Sequence, residues 1–269
     1  MLINIMTPAG GGVHTLTRLM DSMDRHLKDV NYNHIILCQG DEATQDFLFS
    51  RDHSKITSIY SDVNLKLGVA YNHLMELSYY LTPRCDYMMF LDDDFELLGD
   101  PITKLVQYLE STKSDIVALE HSWYNTSHKD RGDKPVNECG GGTLLFTHEV
   151  VDKVGYIDEE FACAWDSDWT RRCTHICGLK LRIMPGSLKF ARHYSQTGTR
   201  KHGMKKFRAQ RELDLKYFFS KWGISVLDRI PSADTISRIK MSTPETRSQS
   251  LLTSEMVVKC ARGVFAFNQ

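Results

Sequence analysis

The sequence predicts an α/β fold, a mostly parallel, twisted sheet with helices on both faces. Three observations predict it. Short apolar runs of strand length alternate with segments of helical period along most of the chain. Glycine-bearing or polar stretches, Thr7–Gly12, Gln39–Asp41 and Ser122–Gly142, fall between these segments, as turns require. One run, Tyr87–Leu91, stops against Asp92-Asp93-Asp94, and open α/β sheets bind ligands where strands leave the sheet at their carboxyl ends.

The elements follow in order. Leu2–Met6 reads as the first strand, followed by the loop Thr7-Pro8-Ala9-Gly10-Gly11-Gly12. This loop has neither the Gly-Lys-Ser/Thr of a P-loop nor a full Gly-x-Gly-x-x-Gly. His14–Leu27 has helical spacing through Leu16, Leu19, Met20, Met23 and Leu27. His34–Cys38 is the second strand, closed by Gln39-Gly40-Asp41, and Ile56–Tyr60 the third. Gly68–Tyr80 is a helix with Leu74 and Leu77 on its apolar side. After Tyr87–Leu91 come a helix at Pro101–Leu109 and a strand at Asp115–Leu119. Ser122–Gly142 is polar and ends in three glycines, and reads as a mobile loop or a crossing connection. Thr143–Thr147 returns to strand and His148–Val154 makes a short helix. Asp166–Cys177 is a further helix whose Asp166 and Asp168 suit its positive end. Leu181–Met184 is a strand ended by Pro185-Gly186, and Lys205–Trp222 is the last clear helix.

With 42% hydrophobic and 25% charged residues in 269, the composition is that of a globular domain with room for an appendage. No window approaches the ~18 uninterrupted apolar residues of a spanning helix. The N-terminus has no basic region ahead of its first apolar run, so it does not read as a signal peptide. Seven cysteines without a Cys-x-x-Cys pair read as buried free thiols of a cytoplasmic protein. The net charge of −1 hides an asymmetry: residues 189–269 hold 16 Lys and Arg against 6 Asp and Glu, a net of +10. A basic tail on an acidic body points to an anionic partner: nucleic acid, an anionic membrane face or an acidic polysaccharide.

The chemistry starts at the acidic triplet. In extended chain residues i and i+2 share a side, so Asp92 and Asp94 face one ligand while Asp93 faces away. Two such oxygen donors repel unless a cation sits between them, and Mg²⁺ or Mn²⁺ suits carboxylate and phosphate oxygens. A solvated turn is the plain alternative. An EF-hand is excluded, because its glycine position would hold Leu97 and its last ligand position Thr103. Trp165-Asp166-Ser167-Asp168-Trp169 is the second acidic site. A carboxylate between aromatic rings is partly desolvated and becomes a useful proton acceptor, although Asp is also an ordinary helix cap. His193, after another strand-like run, is a candidate imidazole ligand.

Taken in order, glycine loop, Asn/Gly loop, Asp-x-Asp, glycine-rich strand, acidic helix start and late His, the chain over residues 2–198 resembles the family 2 glycosyltransferases of the GT-A fold. Asn64-Leu65-Lys66-Leu67-Gly68-Val69-Ala70-Tyr71-Asn72 is similar to the family's Asn-x-Gly…Asn helix start. The resemblance implies that Thr7, Pro8, Asp41, Asn64, Gly68, Asn72, Asp92 and Asp93 contact the nucleotide-sugar donor. It implies that Asp92, Asp94 and His193 hold Mn²⁺ or Mg²⁺, and that Asp166 is the base. Arg171 or Arg172 matches the Arg that follows, while the Glu of the family's Glu-Asp pair is Trp165 here. Gly140–Gly142 with Thr143–Phe146 resembles the strand lining the acceptor side. The expectation is a GT-A catalytic domain at 1–198 and a basic helical extension at 199–269. It would transfer a sugar, with inversion, from a nucleoside-diphosphate donor, a UDP-sugar first among them. Lys201, with Lys205, Lys206 and Arg208, would close over phosphates. The acceptor would be a lipid-linked glycan, a polysaccharide or a hydroxylated base in DNA, the last flipped out of its duplex, and the enzyme cytoplasmic, peripheral on a membrane or on nucleic acid. The other classes the residues admit are a metal-dependent phosphohydrolase or nucleotidyltransferase, and a non-catalytic nucleic-acid-binding protein.

Overall fold

A computed structural model describes residues 1–40, 42–51, 54–61, 63–82, 85–120, 133–194, 204–224, 231–239, 257–260 and 263–266. Their elements run β1 (Ile3–Ala9), α1 (Val13–His26), β2 (Tyr32–Gln39), α2 (Glu42–Phe49), β3 (Ile56–Ser61), α3 (Leu67–Leu81), β4 (Tyr87–Phe90) and β5 (Phe95–Leu97). Then follow α4 (Pro101–Thr112), β6 (Ile116–Leu119), β7 (Leu144–Phe146), α5 (His148–Val154), α6 (Trp165–Arg171), which continues as a π-helical turn to Ile176, and β8 (Leu181–Met184). The chain closes with β9 (Ala191–His193), α7 (Met204–Trp222), α8 (Ala233–Arg238), β10 (Val257–Cys260) and β11 (Gly263–Ala266).

Among the described residues the main sheet has the order β11-β10-β3-β2-β1-β4-β7-β6-β8. Strands β1 to β4 pair in parallel, as do β6 and β8; β7 runs antiparallel to both its neighbours. The period of two decides which face each strand residue serves. Along β4 and just past it, Met88 and Phe90 enter one apolar cluster, whereas Met89 and Leu91 enter another. The first cluster packs against α3, α5, α6 and α7 through Leu74, Val151, Trp169, Phe218 and Trp222. The second packs against α1 and α4 through Leu19, Met23, Ile102 and Leu105. Helices thus cover both faces, as expected. Helix α4 shows the local rules: the Asp100 side chain accepts from the Thr103 N–H, Pro101 opens the first turn, and Lys113 closes it at φ 50°.

The sheet order sets where a ligand fits. From β1 the chain steps outward through β2 and β3, then returns to place β4 on the other side of β1. The direction of winding reverses between β1 and β4, and such a reversal leaves a crevice at the strands' carboxyl ends. The glycine loop and Asp92–Asp94 both lie there.

Three expectations change. Strand β1 runs on to Ala9, so Thr7 and Pro8 are strand residues rather than loop. The Met6 carbonyl accepts from Leu91 N–H on the β4 side, alternation turns Pro8 the same way, and β4 has by then left. The missing N–H of Pro8 therefore breaks no ladder bond. Helix α2 and strand β5 were not read at all. The C-terminal extension is not only helical, because β10 pairs antiparallel with β3 and, with β11, widens the sheet. Nor does α7 stand apart from residues 1–198, since its Phe218 and Trp222 are fully buried in the first cluster.

Candidate active site

One rim, at the β1–β4 crevice, is built around the three acids. Strand β4 ends at Phe90, the chain turns at Asp93-Asp94, and β5 then pairs with β9 in a two-stranded ribbon. That ribbon sets Phe95 opposite His193, and their rings stack 4.4 Å apart. His193 Nε2 lies 3.1 Å from Asp94 Oδ1. Burial pulls the imidazole pKa down, but the Asp94 carboxylate outweighs it and holds it above its ordinary value. Asp92 turns elsewhere: its Oδ1 accepts from the buried Tyr71 hydroxyl at 2.5 Å. Asp93 turns back under the glycine loop, accepting from Gly11 N–H at 2.7 Å. A β-carbon on Gly11 would sit 2.6 Å from Thr15 Oγ1 and 3.0 Å from Asp93 Oδ2, so only glycine fits. Burial, then the charge of Asp94, pushes Asp92 up to about 6 and Asp93 up to about 7.

The opposite rim is α6. Asp166 Oδ2 accepts from Gly141 N–H at 3.0 Å and its Oδ1 from Ser167 N–H at 2.8 Å. Burial lifts its pKa to about 6, against the pull of those two bonds. Asp168 is fully buried and saturated: Arg172 Nε at 3.0 Å, Trp222 Nε1 at 3.0 Å and Lys221 Nζ at 2.8 Å all reach it. Arg172 also donates to the carbonyls of Val154 and Tyr156, and Arg171 pairs with Glu138 at 2.6 Å. Of the two helix-start acids, Asp166 is partly exposed and Asp168 is part of the frame.

Two consecutive glycines join the rims. Gly141 donates to Asp166, while the Gly142 carbonyl accepts from Asp92 N–H at 3.1 Å. A β-carbon on Gly141 would meet the Trp165 ring at 2.3 Å, and one on Gly142 would meet Asp92 Oδ2 at 2.6 Å. No side chain can stand between the two acids.

Several expected contacts fall elsewhere. The Thr7 hydroxyl is buried against His34 Nε2 at 2.9 Å, and Pro8 is buried in β1. Asn72 is fully buried and spends its amide on both backbone groups of Ile157, at 2.8 Å each. Gly68 lets Ile157 approach, since a β-carbon there would lie 2.7 Å from it. The side chains of Thr7 and Asn72 are spent on the scaffold, as buried polar groups usually are, and Pro8 and Gly68 carry no polar side chain. Asn64 is exposed at the rim. Asp41 and Lys201 lie outside the described residues. Tyr71 and Gln39 are the contacts not foreseen: Tyr71 orients Asp92, and Gln39 Oε1 holds Leu65 N–H at 2.9 Å, next to Asn64. Tyr71 stands one residue before Asn72, inside the helix-start motif.

The expected three-ligand metal set is not a preformed cage: among the described residues no three His, Cys, Asp or Glu side chains gather in that way. Asp94 and His193 meet; Asp92 is held by Tyr71. Asp94 Oδ1 is nonetheless buried without a well-aligned hydrogen bond. One carboxylate, with the rest supplied by phosphate and water, is how Mg²⁺ is commonly held, so Asp94, with His193 beside it, fits such an ion.

Residues 41–138 match the model of glycosyl transferase family 2. TarS of S. aureus, residues 1–349 in complex with UDP-GlcNAc, superposes with a TM-score of 0.56 at 12% identity, over 74% of this chain and 61% of that one. The fold is GT-A. The mannosyltransferase PcManGT of Pyrobaculum calidifontis, in complex with GDP-Man and Mn²⁺, matches with a TM-score of 0.54 at 12% identity over 69% of this GT-A chain and 55% of its own. This chain thus spans about three fifths of the solved TarS chain. No curated protein matches in sequence. Among the described residues no helix is long and apolar enough to cross a membrane.

Proposed function

We propose that this chain is a glycosyltransferase that takes a sugar from a nucleoside diphosphate and passes it to an acceptor hydroxyl. The observation that carries the reading is the Gly141-Gly142 bridge between two acidic rims, one at the β1–β4 switch point and one at the start of α6. The family match supports it, and so do TarS and PcManGT, which hold UDP-GlcNAc and GDP-Man.

The donor diphosphate lies in the β1–β4 crevice, beside the exposed Asn64 and the Asp92–Asp94 turn. Asp94 and His193 would hold Mn²⁺ or Mg²⁺, which neutralises charge on a leaving diphosphate when bound. Tyr71 keeps Asp92 pointed into the crevice. Across the glycines, Asp166 takes the proton from the acceptor hydroxyl as its oxygen bonds to the anomeric carbon. The bond from that carbon to the diphosphate oxygen breaks and its electron pair leaves with the diphosphate. A single displacement of this kind inverts the anomeric centre. A pKa near 6 suits the base, which is ionised at neutral pH and still basic enough to accept a proton. The acceptor is anionic on this reading, met by Lys205, Lys206 and Arg208, which are exposed on α7.

A thermal-shift screen of sugar nucleotides with and without Mn²⁺ tests the reading. Stabilisation by one donor in the presence of metal is the expected result; stabilisation by none of them, with or without metal, contradicts it.

A further inference from the structure

Helix α6 begins without a cap of its own. Its N-cap residue is Ala164, which has no side-chain acceptor, and the incoming residues Ala162 and Cys163 have none either. Backbone N–H groups at a helix start need partners. At the entry to α6 one atom gathers the incoming chain: Asp214 Oδ2, on α7, accepts from Ala162 N–H at 3.0 Å, Cys163 N–H at 2.5 Å and the N-cap Ala164 N–H at 3.0 Å. Asp214 is only 3% exposed, and its other oxygen accepts from Gln210 Nε2 at 2.9 Å, one turn earlier on α7. Eight residues after Asp214, Trp222 Nε1 reaches Asp168 on the same α6. Helix α7 therefore grips α6 at its entry and again at Asp168, with Asp166 between.

We propose that Asp214 is a positioning residue for the reaction. Its carboxylate fixes the angle at which the chain enters α6, and so holds the Asp166 carboxylate against Gly141 and facing the acceptor. This rests on the reading of Asp166 as the base. Burial, then the charges of Asp214 and Asp166, pushes the neighbouring Cys163 thiol up to about 11. None of these contacts involves the rim on β1, β4 and β9, so donor affinity should survive the loss of Asp214.

The test uses the full chain with UDP-GlcNAc and GDP-mannose, Mn²⁺, and water as acceptor, reading nucleoside-diphosphate release alongside donor affinity by calorimetry. Asp214→Ser should lower kcat by about 10²-fold, the scale on which a small misplacement of a catalytic group acts. Asp214→Asn keeps one neutral acceptor and should lower kcat by about 10-fold. Donor affinity and donor KM should stay within about twofold in both, which a general loss of folding would not allow. If the serine variant does not fold, the asparagine variant decides alone: a lower kcat at constant donor affinity supports the proposal. An unchanged kcat overturns it, as does a parallel fall of kcat and donor affinity. Asp166→Asn serves as the reference. If it is inactive while the Asp214 variants keep full kcat, this inference alone fails; if it turns over normally, the assignment of the base fails and this inference with it.

Discussion

The two acidic rims treat their carboxylates differently. Behind the acceptor rim, Asp168 takes three side-chain donors and Asp214 takes three backbone N–H groups and an amide. On the donor rim, three consecutive carboxylates crowd together, two of them raised to about 6 and 7, and Asp94 Oδ1 lacks a well-aligned bond. Saturated acids hold a frame in place; crowded acids with raised pKa values are the candidates for meeting a ligand. Asp166 stands between the two kinds, with two backbone bonds and a pKa near 6.

The largest effect expected is at that intermediate position. Asp166→Asn should bind donor normally and lower kcat by roughly 10²–10⁴-fold. A variant with near-normal turnover would erase the distinction between Asp166 and its saturated neighbours. On the donor rim, Asp94→Ala should remove the Mn²⁺-dependent part of donor affinity, by at least the roughly 10-fold to 100-fold that losing even an outer partner of a metal ligand costs. Calorimetry with Mn²⁺ and with chelator measures it, and equal affinities in the two conditions for the wild type would undo the metal role.

The frame should answer in stability instead. Asp168→Asn leaves Arg172 and Lys221 without their shared buried partner, and breaking a buried pair costs about 3–5 kcal/mol. Urea unfolding measures the loss, with donor affinity unchanged where the variant is folded.

The smallest effect is the pH response. The Asp166 pKa is raised in the folded state, so its stabilising contribution is complete below the ordinary Asp value near 3.8 and is lost as pH rises through about 6. Asp166→Asn should therefore raise the melting temperature at pH 8 relative to wild type and not at pH 4. The kcat of the wild type should move oppositely, rising as pH passes about 6 and the carboxylate ionises. Melting curves at the two pH values and a kcat profile check both signs.

Much of this was legible in the sequence because period and punctuation carry it. The β8 limits were read as they stand, and the helix starting at Pro101 follows from proline and a capping Asp. Strand β5 was not legible, since three residues become a strand only by pairing with β9, about 96 residues away. Helix α2 shows too narrow a buried stripe, Thr44 and Leu48, to announce itself. In the site, the acids were legible as a class, but their division into frame and reaction was not. Asp166 and Asp168 are alike in the chain, and only the arrival of Arg172, Lys221 and Trp222 separates them. Asn72 looked like a donor contact for the same reason: its partner, Ile157, lies 85 residues on.

The most direct test of the central claim is product analysis on wild type and Asp166→Asn, each given the sugar nucleotide that stabilises it together with Mn²⁺. The account predicts that the wild type releases the nucleoside diphosphate, with the sugar transferred or hydrolysed at inverted configuration, and that Asp166→Asn binds the donor equally well but releases product at least about 10²-fold more slowly. Release of inorganic phosphate or pyrophosphate, or an Asp166→Asn variant as fast as wild type, would contradict it.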